Sequence, residues 1–229
     1  MGGGSAGWLT AGILASGLTS GTKPGIEVLL VESPEVNPIG VGEGTWPSMR
    51  DTLRAIGLSE SDFIRECDVS FKQASCFRGW VTGAEDDEYF HPFAAPAGFG
   101  ELSLVPYWRA NHASRPFADV VSYQPELIRQ GRAPKQGMTP EWAAVANYAY
   151  HLDAGKFGLF LRKHCTEKLG VEHVLTHVSG IVAADNGDIE ALETSDRGLI
   201  RADLFIDCTG FRSMLLGEHF AVPFVSCRE

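Results

Sequence analysis

The chain opens MGGGSAGWLTAGILASGL (Met1 to Leu18), and the reading of this stretch decides the fold. Gly2, Gly4 and Gly7 satisfy GxGxxG. In that pattern the first glycine permits a tight turn, the second lets backbone approach a pyrophosphate, and the third lets helix and strand pack closely. Leu9, Ile13, Leu14 and Leu18 follow at helical spacing, so the sequence predicts a turn feeding a helix whose first free N–H groups face an anion. Ile26 to Val31 (IEVLLV), bounded by a Pro-Gly turn and by Glu32, reads as a buried parallel strand. Glu32 closes that strand 25 residues after Gly7, where an acidic side chain accepts ribose hydroxyls. Three glycines at the start of a chain also suit a tag or linker. A dinucleotide fold has an apolar strand directly before its glycines, and here only Met1 precedes them. Two readings follow: a truncated start, or an absent central strand.

Outward from this core, Pro47 suits the first turn of a helix with Met49, Leu53 and Ile56 on one face and Gly57 at its end. Val69 to Trp80 alternates as a strand, with Lys72, Ala74 and Cys76 on one face and Phe71, Gln73 and Phe77 on the other. Residues 81–147 are rich in Pro, Gly and aromatics, which predicts an irregular, lid-like insertion. Asp153 is placed to cap a helix carrying Phe157, Phe160, Leu161 and Cys165 and ending at Gly170. From Val174 onward, turn signals at Asn186-Gly187 and Asp196-Arg197-Gly198 predict a three-stranded antiparallel meander. A last apolar strand, Asp203 to Asp207, leads into Cys208-Thr209-Gly210. The order predicts an α/β fold: residues 1–80 the first part of a nucleotide-binding domain, 81–150 a substrate-side insertion, and 151–229 the second part.

Nineteen Lys plus Arg against 29 Asp plus Glu leave a net charge of -10, which repels nucleic acid and anionic membrane surfaces. Five cysteines without a CxxC pair fit a reducing, cytoplasmic setting better than a disulfide framework. No apolar run approaches the roughly 20 residues a bilayer requires. His173 and His177 are four apart, but the valines around them read as strand, so no metal site is expected. Neither a GxSxG elbow nor a P-loop lysine is present.

GGGSAGW (Gly2 to Trp8), VESP (Val31 to Pro34), IGVGEGTWPS (Ile39 to Ser48), SFK (Ser70 to Lys72), HPF (His91 to Phe93), YAYHLDA (Tyr148 to Ala154) and ADLFIDCTG (Ala202 to Gly210) occur in this order over nearly the whole chain. Together they resemble the flavin-dependent tryptophan halogenases. The resemblance implies a glutathione-reductase-like FAD fold and a flavoprotein that receives reduced FAD from a separate flavin reductase. With dioxygen and a halide ion as co-substrate, such enzymes make hypohalous acid, which a lysine relays to an electron-rich aromatic substrate such as an indole or tryptophan. The match puts Lys72 at that lysine, although a strand lysine judged by residue type alone is a solvated one.

By the same resemblance Gly2, Gly4, Ser5, Ala6 and Gly7 form the pyrophosphate cradle and Glu32 accepts the ribose. Gly42, Glu43 and Gly44 lie against the flavin ring, and Val178 contacts the adenine through its backbone, although a core valine is an equal reading. Asp207, Thr209 and Gly210 form the second nucleotide-binding strand end. His91 and Phe93 sandwich the aromatic substrate, a stacking worth about 1 kcal/mol. Family members also carry a WxWxIP segment and a later glutamate that takes the ring proton. Neither occurs in these 229 residues, so the expectation is a fragment. Two alternatives remain: an FAD-dependent monooxygenase of the same fold, which has no need of Lys72, and a non-catalytic FAD-binding remnant.

Overall fold

The computed structural model describes residues 1–17, 25–36 and 42–228. Leu18, Pro24 of the Pro-Gly turn, and Ile39 to Val41 of the IGVGEGTWPS motif lie outside the described residues. The elements run α1 (Ser5–Gly17), β1 (Leu29–Glu32), β2 (Gly42–Gly44), α2 (Ser48–Ile56), α3 (Glu60–Glu66), β3 (Ser70–Lys72), β4 (Ala74–Arg78) and β5 (Glu88–Pro92). Three short helices follow, α4 (Val105–Asn111), α5 (Phe117–Val121) and α6 (Gln124–Arg129). Then come β6 (Ala149–Asp153), α7 (Ala154–Lys168), β7 (Glu172–Leu175), β8 (Val178–Ala183), β9 (Ile189–Thr194) and β10 (Gly198–Arg201). The fold is α/β, with both parallel and antiparallel strand pairs. No helix among the described residues is long and apolar enough to cross a membrane. Two compact units divide the chain: residues 1–41 with 154–229, and residues 42–153.

In the first unit β1 pairs in parallel with β7, Leu30 opposite His173 and Glu32 opposite Leu175. The strand predicted from Ile26 begins only at Leu29. Helix α1 forms as predicted but buries a different face. Trp8, Ala11 and Ala15 are buried while Ile13 is half exposed, because small residues let α1 lie close against α7, whose Phe157, Leu161 and Cys165 are fully buried. Burying Phe157 and Leu161 contributes roughly 1.5–3 kcal/mol each. The predicted meander is present in the order β10-β9-β8. It packs Leu192, with Val178, Ile181 and Ile200, against Val31 and Leu215. The predicted strand at Asp203 to Asp207 does not form. Its end makes two hydrogen bonds with Met1, the Cys208 N–H donating to the Met1 carbonyl at 2.9 Å and the Met1 ammonium to the Ile206 carbonyl at 2.7 Å, too short a ladder for a strand.

In the second unit β2, β6 and β3 form an antiparallel sheet with β6 in the middle. Side chains alternate across a sheet, and Gly44 faces His151 while Ser70 faces His151 and Lys72 faces Ala149. These five residues therefore share one face. Phe71 and Tyr150 take the other, where Phe63 of α3 packs edge-on to Tyr150 at 5.0 Å. The strand predicted over Val69 to Trp80 is two strands: it breaks at Gln73, and β4 pairs with β5 in a separate ribbon. Gln73 turns inward, its Nε2 donating to the Arg132 carbonyl at 2.7 Å, while its own carbonyl accepts from the Phe93 N–H at 3.1 Å. A period of two cannot reveal a change of partner. The insertion is also more regular than predicted, holding β5 and α4 to α6.

Glu60 fastens this unit from within. It is 2% exposed and accepts from Tyr148 Oη, Tyr150 Oη (2.8 Å), Lys135 Nζ (2.7 Å) and the Trp142 N–H (2.7 Å). Burial pushes its carboxyl up, but these four donors together hold it below the usual carboxylate range. Burial beside this carboxylate pushes the Tyr148 hydroxyl up to about 12 and Tyr150 up as well.

Candidate functional site

Two clusters of candidate residues emerge, one in each unit. In the first, Gly2 adopts φ +109°, a region where L side chains are strained. Its N–H donates to the Val31 carbonyl at 2.9 Å while the preceding carbonyl takes Cys208. Met1 and Gly2 thus lie between β1 and the 206–208 segment, the place of a central strand in a dinucleotide sheet. A Cβ on Gly7 would overlap the Gly2 carbonyl oxygen, and one on Gly3 would overlap the Glu32 carboxylate. At Gly4, by contrast, a Cβ would meet no protein atom within 4 Å. The protein's own backbone therefore requires glycine at 2 and 7, a Cβ at 3 would have to displace the Glu32 carboxylate, and only an approaching group would require glycine at 4. Helix α1 starts at Ser5, so the N–H groups of Ser5, Ala6 and Gly7 belong to its first turn, where the dipole favours an anion by about 0.3–1 kcal/mol. These residues fit a dinucleotide cradle.

Glu32 stands beside that loop, its side chain 14% exposed, with Oε2 2.8 Å from Nε2 of His173. Trp8 lies edge-on to the His173 ring at 5.0 Å. Gly3 and the pairing of His173 with Glu32 escape a sequence reading because neither belongs to the GxGxxG spacing nor to a ribose-acid pattern. His177, the other histidine of the pair, contacts Ser33 Oγ through Nδ1 at 2.9 Å. Val178, partly buried, packs against the meander core. The Asp207 carboxylate is engaged by its own turn: Oδ1 accepts from the Thr209 N–H (2.9 Å) and Oγ1 (2.6 Å), and Oδ2 from the Leu215 N–H (2.8 Å). Burial pushes this carboxyl up, and those donors outweigh it, holding it below the usual range. Asp207 therefore shapes the turn, and Gly210, at φ +64° with open space at its Cβ position, offers backbone.

The second cluster surrounds Lys72. Its Nζ donates to the Thr45 carbonyl at 3.3 Å and stands 5.1 Å from the Trp46 ring and 5.5 Å from the Phe93 ring, within the range of a cation–π attraction. The two rings are 5.7 Å apart. Gly44 makes room for the amine: a Cβ there would sit 3.2 Å from the His151 ring and 3.5 Å from Lys72 Nζ. Gly42 and Glu43 continue β2 opposite Asp153 and Leu152. Burial first, and the Lys72 charge second, lower the pKa of His151, so its imidazole is neutral at neutral pH.

A cavity of about 450 Å³ adjoins this face, lined by Lys72, Gln73, Cys76, Phe90, Arg132 and His151 among others, and no acidic residue lines it. Gln73 Oε1 is buried without a partner among the described residues. The split strand still brings Lys72, Ala74 and Cys76 to one cavity. Phe93 reaches Lys72, whereas His91 is exposed and paired with Ser75, on the ribbon face opposite the Cys76–Phe90 pair. Trp46, His151 and Gln73 went unread because their importance lies in which strand they face.

A family model for tryptophan halogenases matches residues 1–229. Tryptophan 7-halogenase RebH of Lentzea aerocolonigenes is 32% identical over all of this chain and 45% of its own length. The crystal structure of a tryptophan halogenase from Shewanella frigidimarina NCIMB 400 superposes with a TM-score of 0.92 at 50% identity, covering 98% of this chain and 44% of that one. The flavin-dependent halogenase BrvH from Brevundimonas sp. BAL3 gives 0.80 at 28% identity, covering 98% and 44%. The chain thus spans about half the length of the curated relatives it matches. With the match running from the glycine loop through the Lys72 strand to the last turn, the chain belongs to the tryptophan halogenase family.

Proposed function

We propose that this chain carries the FAD cradle and the relay lysine of a flavin-dependent halogenase. When bound, reduced FAD delivered by a separate flavin reductase supplies, with dioxygen and halide, the hypohalous acid. Gly2, Gly4 and the first turn of α1 (Ser5, Ala6, Gly7) would hold the pyrophosphate and Glu32 the ribose. Val178 and the Asp207–Gly210 turn would add backbone contacts, and Gly42, Glu43 and Gly44 would lie along the ring. The single observation that carries the reading is the Lys72 amine, held against the Trp46 and Phe93 rings beside a cavity that has cationic but no acidic lining.

An amine held this way would hydrogen-bond and polarise hypohalous acid or, as the free amine, take its halogen and release water. His151, on the same sheet face, keeps its imidazole neutral beside the Lys72 amine. Phe93, beside the Lys72 amine, would bind an indole or tryptophan-like aromatic substrate. The test supplies reduced FAD, oxygen, bromide and tryptophan or indole to the polypeptide bearing this chain, with mass spectrometry for a one-halogen shift. Lys72→Met should lower product at least 100-fold with FAD binding retained. Undiminished halogenation by that variant would overturn the relay and favour direct attack on free hypohalous acid.

A further inference from the structure

His173 attracts notice in the sequence for its spacing from His177, yet among the described residues no group of three or more His, Cys, Asp or Glu side chains is arranged to hold a metal. Its contacts give it another role. Nε2 lies 2.8 Å from Glu32 Oε2, both side chains are about 85% buried (15% and 14% exposed), and the ring is braced edge-on by Trp8, itself 1% exposed. Parallel pairing sets His173 opposite Leu30, two residues before Glu32 on the neighbouring strand. Gly3 closes the other side of the carboxylate, since any Cβ there would strike it. Trp8 directly follows Gly7, so one helix turn carries both the pyrophosphate donors and the brace of the histidine. A carboxylate this buried, without a donor, would turn toward solvent or adopt several rotamers. With the imidazole donor it has one orientation.

We infer that His173 is a positioning residue for the adenosine half of FAD, acting through Glu32: it donates to Oε2 and fixes the carboxylate where the ribose hydroxyls reach it. This rests on the cofactor reading given above. It also accounts for Trp8 in GGGSAGW, which the GxGxxG pattern does not require.

The test is FAD titration of the full chain by flavin fluorescence, with a melting curve for each variant. His173→Phe, which keeps a ring against Trp8 but has no donor, should weaken FAD binding about tenfold, as expected for a lost hydrogen bond to a charged group. His173→Gln, which restores a donor, should recover most of that loss. On the Glu32→Gln background, His173→Phe should cost little more. A His173→Phe dissociation constant within twofold of the unsubstituted chain would overturn the inference. So would a full tenfold loss repeated on the Glu32→Gln background, since the ring would then act through packing alone. If the unsubstituted chain fails to bind FAD, the cofactor reading falls first, before any substitution is compared, and the inference falls with it.

Discussion

Gly7 and Lys72 each stand at the centre of a candidate site, one in each compact unit, and they are held by different means. Gly7 is fixed by backbone: the Gly2 carbonyl occupies the space of its missing Cβ, and the helix start beyond it presents N–H groups whatever side chains follow. Lys72 is surrounded by groups drawn from three segments, the Thr45 carbonyl and the Trp46 ring after β2, Phe93 after β5, and His151 on β6. A backbone site tolerates little variation in one residue type and much in the others. A side-chain site depends on every partner a little. The two should therefore fail differently when single residues are changed.

The largest effect is expected at the anchor beneath the Lys72 sheet. Glu60→Ala leaves Tyr148 Oη, Tyr150 Oη, Lys135 and the Trp142 N–H without their acceptor, a loss of about 3–5 kcal/mol, or a melting temperature lower by roughly 10 °C for a chain of this size. A fall of under 2 °C would show that the side chains around Lys72 are held by something else. The acid side gives the same answer by another route. Because the folded-state pKa of Glu60 is lowered, its contribution is complete above the ordinary carboxylate pKa and is lost as pH falls through the folded value. Between neutral and acid pH the melting temperature of Glu60→Ala should thus fall less than that of the unsubstituted protein.

Next comes Gly7→Ala. The collision is with a backbone oxygen that cannot rotate away, so the loop must shift and FAD affinity should fall about 100-fold, with a stability loss of about 1–3 kcal/mol. Gly4→Ala is the control that sharpens the contrast: nothing in the protein opposes its Cβ, so the melting temperature should hold while FAD binding falls. If Gly4→Ala binds FAD as well as the unsubstituted chain, the pyrophosphate does not lie over that residue.

The same contrast explains what was legible in the sequence. The glycine loop, Glu32, helix α7 and the meander are local patterns, in which a few residues at fixed spacing dictate a turn, a cap or a face, and they form where predicted. The α1 face was misplaced because Leu9 and Ile13 share the helical period with Trp8, Ala11 and Ala15, and only the neighbour α7 decides between them. The Val69 to Trp80 strand was read as continuous because alternation persists through Gln73 while the pairing partner changes. At the site, family resemblance singles out Lys72 and Gly44, but that Gly44 leaves room for the Lys72 amine beside His151 follows only from the antiparallel register across β2, β6 and β3. His173 was weighed as a metal ligand because spacing suggested it. Its actual partner, Glu32, lies 141 residues away.

The smallest expected effect tests whether His151 and Lys72 sense one another. Two causes lower the His151 pKa: burial, the larger, and the positive charge of Lys72. Replacing Lys72 by Met removes the second and leaves the first, so the His151 titration midpoint, followed by its ring proton resonances, should rise while remaining below that of an ordinary histidine. The sign follows from electrostatics: a nearby cation disfavours imidazolium, and its removal makes protonation easier. Gly44→Ala should alter the same midpoint without abolishing the effect, because the Cβ presses on movable side-chain ends at 3.2 and 3.5 Å rather than on backbone. An unchanged midpoint in Lys72→Met would mean that the amine and imidazole are too well screened to sense one another, and burial alone would then set the His151 pKa.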